Sequence, residues 1–236
     1  MKRITTKLGL LLFLFMNSHF QVVGQKNQWE NLLEGNTLDH FVQLNGKADF
    51  TIEDGILIGT SKSNTPNSFL ATKKIYEDFI LEFEVLIDYG LNSGVQFRSE
   101  SIKTYLDGRV HGYQCEIETS SRKWAGGIYD EARRGWLYPL TRNPKGQDAF
   151  TNGRWNSYRI EAIGNTLKTF VNGIQASNLV DDMTAKGFIA FQVHSISSPE
   201  DEGKKVQWKN IRILTTALDK NRMMETNKAP QISYLE

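Results

Sequence analysis

Gln114, Glu116 and Glu118 stand at every second position of one short segment, opposite Tyr113, Cys115 and Ile117. Alternate residues of a strand face opposite sides of its sheet, so the apolar set goes inward and the polar set shares one face. Val95–Arg98 repeats the arrangement, leaving Gln96 and Arg98 opposite Val95 and Phe97. Gly187–His194 leaves Ala190, Gln192 and His194 opposite Ile189, Phe191 and Val193. Carboxyl and imidazole groups can move protons, and a guanidinium can stabilise a developing anion. Planar amides suit paired contacts to hydroxyls, while aromatic rings offer stacking surfaces. Tyr129 adds such a ring on the Ile128 strand, and Lys123, Trp124, Arg133, Arg134 and Trp136 supply the wall of an adjoining loop. Every sandwich has a solvated outer face. The concentration of Gln, Glu, Arg and His on this one favours a ligand groove.

The individual signals differ in weight. Glu116 and Glu118 are two residues apart, which sets their Cα atoms about 6.5–7 Å apart on a strand. That is close to glycosidase carboxyl spacings, yet any Glu-x-Glu strand shares it. His194 fits a general base, a metal ligand or a structural histidine. His40, His111 and His194 show no metal-ligand spacing, and the single cysteine excludes a thiolate cluster, so no metal site is assigned. No cofactor is expected, although a divalent cation held by Glu and Asp oxygens stays compatible with the composition. Cys115 reads as a buried strand cysteine. The chain has no Gly-rich phosphate loop and no serine-nucleophile elbow.

Short strands must carry these residues. Asp49–Glu53, Ile56–Gly59, Phe79–Ile87, Ser157–Ile163, Thr166–Val171 and Val206–Leu214 alternate at period two. Asp54-Gly55 and Asn172-Gly173 are two-residue hairpin signals. No long helical stripe and no internal repeat interrupts them. The pattern predicts an all-β antiparallel sandwich, with a long functional loop over Arg122–Ala149 and a polar tail over 217–236.

The 236 residues carry a net charge of +1, giving no basic face for nucleic acid. Lys2, Arg3 and Lys7 precede the apolar run Leu8–Phe15, and Val22-Val23-Gly24 leads to Gln25. This reads as a signal peptide over 1–24, cleaved near Gly24/Gln25, and the run is too short to span a bilayer. The expected location is periplasmic or secreted. Oligomeric state is not legible.

Trp29–Phe41 (WENLLEGNTLDHF), Phe50–Thr60 (FTIEDGILIGT), Asn92–Arg98 (NSGVQFR), Gly112–Glu118 (GYQCEIE), Gly126–Leu140 (GGIYDEARRGWLYPL), Trp155–Ile163 (WNSYRIEAI), Gly187–His194 (GFIAFQVH) and Trp208–Ile213 (WKNIRI) follow one another in order. Together they resemble the 3-keto-disaccharide hydrolase family over about residues 26–216. The resemblance implies a concanavalin A-like lectin/glucanase (jelly-roll) fold with a concave ligand-binding face, and cleavage of glycosides whose sugar is oxidised at C3. Laminarinase-type relatives of that fold use a longer acidic motif. Here Gln114 precedes the two glutamates, and Thr119–Ser121 add no third acid. A C3 carbonyl offers another route, because it acidifies the C2 proton and lets an enolate expel the C1 substituent. The implied roles are Glu116 or His194 as base, Arg98 as oxyanion stabiliser, and Glu118 or Tyr129 as proton donor. Gln96, Gln114 and Gln192 would hold hydroxyls. A non-catalytic carbohydrate-binding module is the alternative, and an adhesion or interaction domain a third reading.

Overall fold

A computed structural model describes residues 29–224 and 228–235. The expected signal peptide therefore lies outside the described residues. The strands are β1 (Glu30–Asn31), β2 (Phe41–Asn45), β3 (Asp49–Glu53), β4 (Ile56–Thr60), β5 (Ser68–Thr72), β6 (Phe79–Ile87), β7 (Asn92–Glu100) and β8 (His111–Glu118). They continue as β9 (Ile128–Glu131), β10 (Gly135–Tyr138), β11 (Asn156–Ile163), β12 (Thr166–Val171), β13 (Ile174–Val180), β14 (Phe188–Val193), β15 (Lys205–Leu214) and β16 (Ile232–Ser233).

One sheet runs β10-β9-β8-β7-β14-β5-β2. The other runs β16-β13-β12-β11-β6-β15-β4-β3, with β1 added beside β15. Pairing is antiparallel except between β13 and β16. The two hairpin signals hold: Asp54 and Gly55 have φ of 49° and 76°, and Asn172 and Gly173 have 49° and 79°. Both central residues are thus left-handed, as the hairpin twist demands.

The alternating apolar residues meet between the sheets. Phe97 stacks on Tyr113 at 5.6 Å, Phe83 on Tyr158 at 5.2 Å, and Phe191 lies 5.4 Å from the buried Trp208. Cys115 is fully buried among them, and burial pushes its thiol pKa up.

The Arg122–Ala149 segment is more ordered than the expected loop. Its middle forms the β9–β10 hairpin, followed by a short helix at Pro144–Gln147. Composition rich in Trp, Arg and Gly masked the short strands. The segment after Leu214 packs back on the domain: Met223 N donates to Glu161 Oε1 at 2.7 Å, Ala229 N to Gln175 Oε1 at 2.9 Å, and Tyr138 Oη to Pro230 O at 2.6 Å.

Candidate functional site

On the outer side of the seven-stranded sheet, pairing lines up two polar rows. Ala190, Gln96, Gln114, Tyr129 and Trp136 are consecutive partners across β14, β7, β8, β9 and β10. One step along, Gln192 pairs with Gly94 and Gly94 with Glu116. Gly94 leaves a gap in the second row, and Gln114 fills it. A Cβ on Gly94 would stand 2.4 Å from Gln114 Cδ, so the missing side chain is what lets this amide lie against Glu116.

The two glutamates are only 3% and 4% exposed, although they face away from the core. Glu116 Oε1 accepts from Asn92 Nδ2 at 2.6 Å, and Oε2 accepts from Gln114 Nε2 at 3.1 Å. Glu118 is held harder. It accepts from Arg122 Nη2 at 2.7 Å, Ser120 Oγ at 2.9 Å and the backbone N–H of Trp124 at 2.5 Å. Arg122 also reaches Glu116 Oε1 at 3.4 Å. Its guanidinium sits 4.6 and 4.8 Å from the Trp124 and Trp136 rings, and Trp136 meets Tyr129 edge-on at 5.1 Å. Flat aromatic faces fix the guanidinium plane, so its donors converge on both carboxyls.

Burial pushes the Glu116 carboxyl up to about 7, and the Glu118 charge adds to it; Asn92, Gln114 and Arg122 pull the other way. A carboxyl poised there can take or give a proton at neutral pH. Burial, then the charges of Glu131 and Glu116, likewise raise the Tyr129 phenol.

The raised Glu116 value has a stability consequence. Between the ordinary 4.5 and about 7, the folded chain keeps a proton that the unfolded chain has released. Stability contributed by this group therefore falls as pH rises through that window. Glu116→Gln should flatten the decline, by up to about 3 kcal/mol, between urea titrations at pH 5 and pH 7.5. An unchanged slope would mean that Glu116 titrates normally.

The structure brings Glu116, Glu118, Gln96, Gln114, Tyr129, Trp124 and Trp136 into this cluster and places Gln192 in the adjoining row. Gln192 is fully buried, with neither Nε2 nor Oε1 partnered. His194 follows the end of β14, two strand spacings (about 10 Å) from β8, and its Nδ1 bonds Ser195 O at 2.7 Å. Lys123 lies on the rim, 2.7 Å from Asp148.

Three expectations need correcting. Arg98 points away from the face: it donates to Glu77 O, Gly164 O and Asp78 Oδ1 at 2.7–2.8 Å across the end of the sandwich. A bulge between Phe97 and Glu100, with Arg98 at φ 45°, reverses its parity. Arg133 and Arg134 are not a groove wall. The β9–β10 turn carries them beneath the sheet, where both bond Asp130 and Arg134 also bonds Asp181.

Asn92 and Arg122 escaped the sequence reading. Asn92 shares the parity of Gly94 and Gln96, so its signal was present; Arg122 follows Glu118 by four residues across a turn whose direction alternation does not show. Among the described residues, no group of three or more His, Cys, Asp or Glu is placed to hold a metal ion. A cavity of about 580 Å³ opens on the other sheet beside Trp29, Arg159 and Arg212. Both arginines pair with Glu82 in its lining, Arg159 at 2.5 Å and Arg212 at 2.6 Å, which leaves few free groups for a ligand.

Residues 28–214 match the family described as the 3-keto-alpha-glucoside-1,2-lyase-like domain. Two candidate glycosyl hydrolases from Parabacteroides distasonis ATCC 8503 superimpose with TM-scores of 0.57 and 0.54, at 16% and 19% identity. Each alignment covers 79% of this chain, and 93% and 98% of theirs. A Bacillus subtilis protein with a galectin-like fold aligns over 80% of this chain and 94% of its own, with TM-score 0.55 and 9% identity. At these identities the likeness is one of fold. No curated protein sequence matches.

Proposed function

The chain belongs to the 3-keto-alpha-glucoside-1,2-lyase-like domain family, and on that premise we propose that it cleaves glycosides oxidised at C3, with Glu116 as the proton-transfer group. The observation that carries this reading is the near-neutral Glu116 carboxyl, buried on a sheet face between Asn92, Gln114 and Arg122.

A C3 carbonyl makes the C2–H bond acidic. Ionised Glu116 takes that proton, and the electron pair moves into the C2–C3 bond as the C3 oxygen becomes an enolate. Arg122, 39% exposed above the carboxyls, supplies positive charge for this oxygen in place of the expected Arg98. Collapse of the enolate breaks the bond from C1 to its substituent, which leaves with the electron pair and takes a proton from Tyr129 or from protonated Glu116. Addition of water across the resulting C1–C2 double bond makes the overall change a hydrolysis. Glu118, locked by its donors, holds Arg122 in place. Trp124 and Trp136 stack against a sugar ring. No cofactor enters the route. An export signal at residues 1–24 would place the reaction in the periplasm or outside the cell.

The test is incubation of the purified chain with a 3-keto-glucoside bearing a chromogenic leaving group, with and without chelator, beside the unoxidised glucoside. Release from the keto form alone is expected, with no effect of chelator. Binding without release from either form would instead favour a carbohydrate-binding module, for which the aromatic cluster and amides suffice.

A further inference from the structure

Glu116 is one end of a buried chain of hydrogen bonds. Gln114 Nε2 donates to Glu116 Oε2 at 3.1 Å, Gln96 Nε2 donates to Gln114 Oε1 at 2.6 Å, and Ser99 Oγ donates to Gln96 Oε1 at 2.8 Å. All four residues are 3% exposed or less. The direction of every bond follows from the first. An ionised carboxylate only accepts, so Gln114 must present its NH₂ to it; its oxygen then faces Gln96, which must present its own NH₂ in turn.

Protonation of Glu116 breaks this order. Oε1 already faces Asn92 Nδ2 and Arg122 Nη2, so a proton there would oppose two donors. A proton on Oε2 opposes the NH₂ of Gln114. That conflict disappears if both amides turn over. Glu116 then donates to Gln114 Oε1, Gln114 Nε2 to Gln96 Oε1, and Gln96 Nε2 to Ser99 Oγ. The Ser99 hydroxyl needs a new acceptor, and two stand ready: Phe97 O at 3.1 Å and Tyr113 O at 3.2 Å. The reversed chain leaves none of its groups unpaired. No proton travels along it; only the amides rotate.

We propose that Glu116, Gln114, Gln96 and Ser99 form a reversible hydrogen-bond wire whose two orientations match the ionised and protonated carboxyl, with Gln96 and Ser99 as positioning residues for proton transfer. Its catalytic meaning rests on the reading of Glu116 as the base, but the wire itself does not. The charged and titratable groups around Glu116 are Cys115 and Glu118 on its own strand, Arg122 in the following turn, Tyr129 on β9 and Tyr158 on β11, whose hydroxyl bonds Glu116 O at 3.4 Å. Burial sets where Glu116 titrates, with Asn92, Gln114 and Arg122 pulling it down and Glu118 pushing it up. Gln96, by contrast, connects to it only through Gln114.

The test is an NMR titration of the chain labelled at glutamine and glutamate side chains. The Gln96 side-chain amide signals are expected to shift with the same midpoint as the Glu116 carboxyl carbon. In Gln114→Met the Gln96 signals should stop titrating, and the Glu116 midpoint should rise by about one pH unit through loss of a donor to the ionised form. Flat Gln96 signals in the unaltered chain, while Glu116 titrates, would overturn the wire whatever the activity. Persistence of the Gln96 shift in Gln114→Met would overturn it too. A fully active Glu116→Gln variant beside a titrating Gln96 would sink the base assignment and leave the wire standing.

Discussion

Glu116→Gln lowers turnover of a 3-keto-glucoside by about 10²–10⁴-fold and leaves sugar binding within a few-fold. The substitution keeps the shape of the side chain and removes the group that accepts the C2 proton. Asn92 and Gln114 both point donors at this position, so the new amide can satisfy one of them with its oxygen. Gln114 can meet its NH₂ only by turning over, which the Ser99 end of the chain permits. The fold should therefore survive, and the loss should fall on kcat rather than KM. Steady-state kinetics beside a thermal melt separates the two. Turnover within a few-fold of the unaltered chain would move the base to His194 or Tyr129.

Asp130→Ala should destabilise the domain by about 3–5 kcal/mol, lowering Tm by roughly 10 °C. Asp130 is fully buried on the inner side of β9 and accepts from Arg133 Nε at 2.7 Å and Arg134 Nε at 2.6 Å. Arg134 continues to both oxygens of Asp181, at 2.8 and 3.0 Å, and Tyr113 closes the group through its hydroxyl on Asp181. Removing this carboxylate leaves Arg133 with only the Thr184 hydroxyl and Arg134 with Asp181 alone at the end of the sandwich. Because Tyr129 sits next to Asp130 on the same strand, activity should fall along with stability. Urea unfolding gives the magnitude, and a loss below about 1 kcal/mol would mean that Asp181 and Thr184 suffice to hold the arginines.

Strand parity carried the sequence reading as far as the strands stay regular. From Tyr113 to Glu118 every side chain faces as period two requires, and the Glu116–Glu118 pair with its neighbouring amides was legible for that reason. The reading failed where the backbone leaves the pleat. Arg98 has the right spacing for the groove, but a positive φ at a bulge is not written in hydrophobic alternation. Arg133 and Arg134 lie in a turn whose direction depends on where Asp130 must be neutralised, a tertiary fact. Arg122 was hidden for the converse reason: the turn after β8 brings it back over the strand it has just left, and two tryptophans hold it there. The aromatic residues had been read as surfaces for a sugar. Two of them also clamp the guanidinium that supplies the site's positive charge.

Cys115, the chain's one cysteine, separates Gln114 from Glu116 and faces the other way, into the space between the sheets. Its sulfur meets no reagent while the sandwich is closed, and its raised pKa keeps it protonated. The rate at which a small thiol reagent labels the native chain is therefore a clock for the parting of the two sheets directly beneath the carboxyl pair. It needs no introduced probe, and slower labelling with sugar bound would time how far a ligand on one side of β8 stiffens the core on the other.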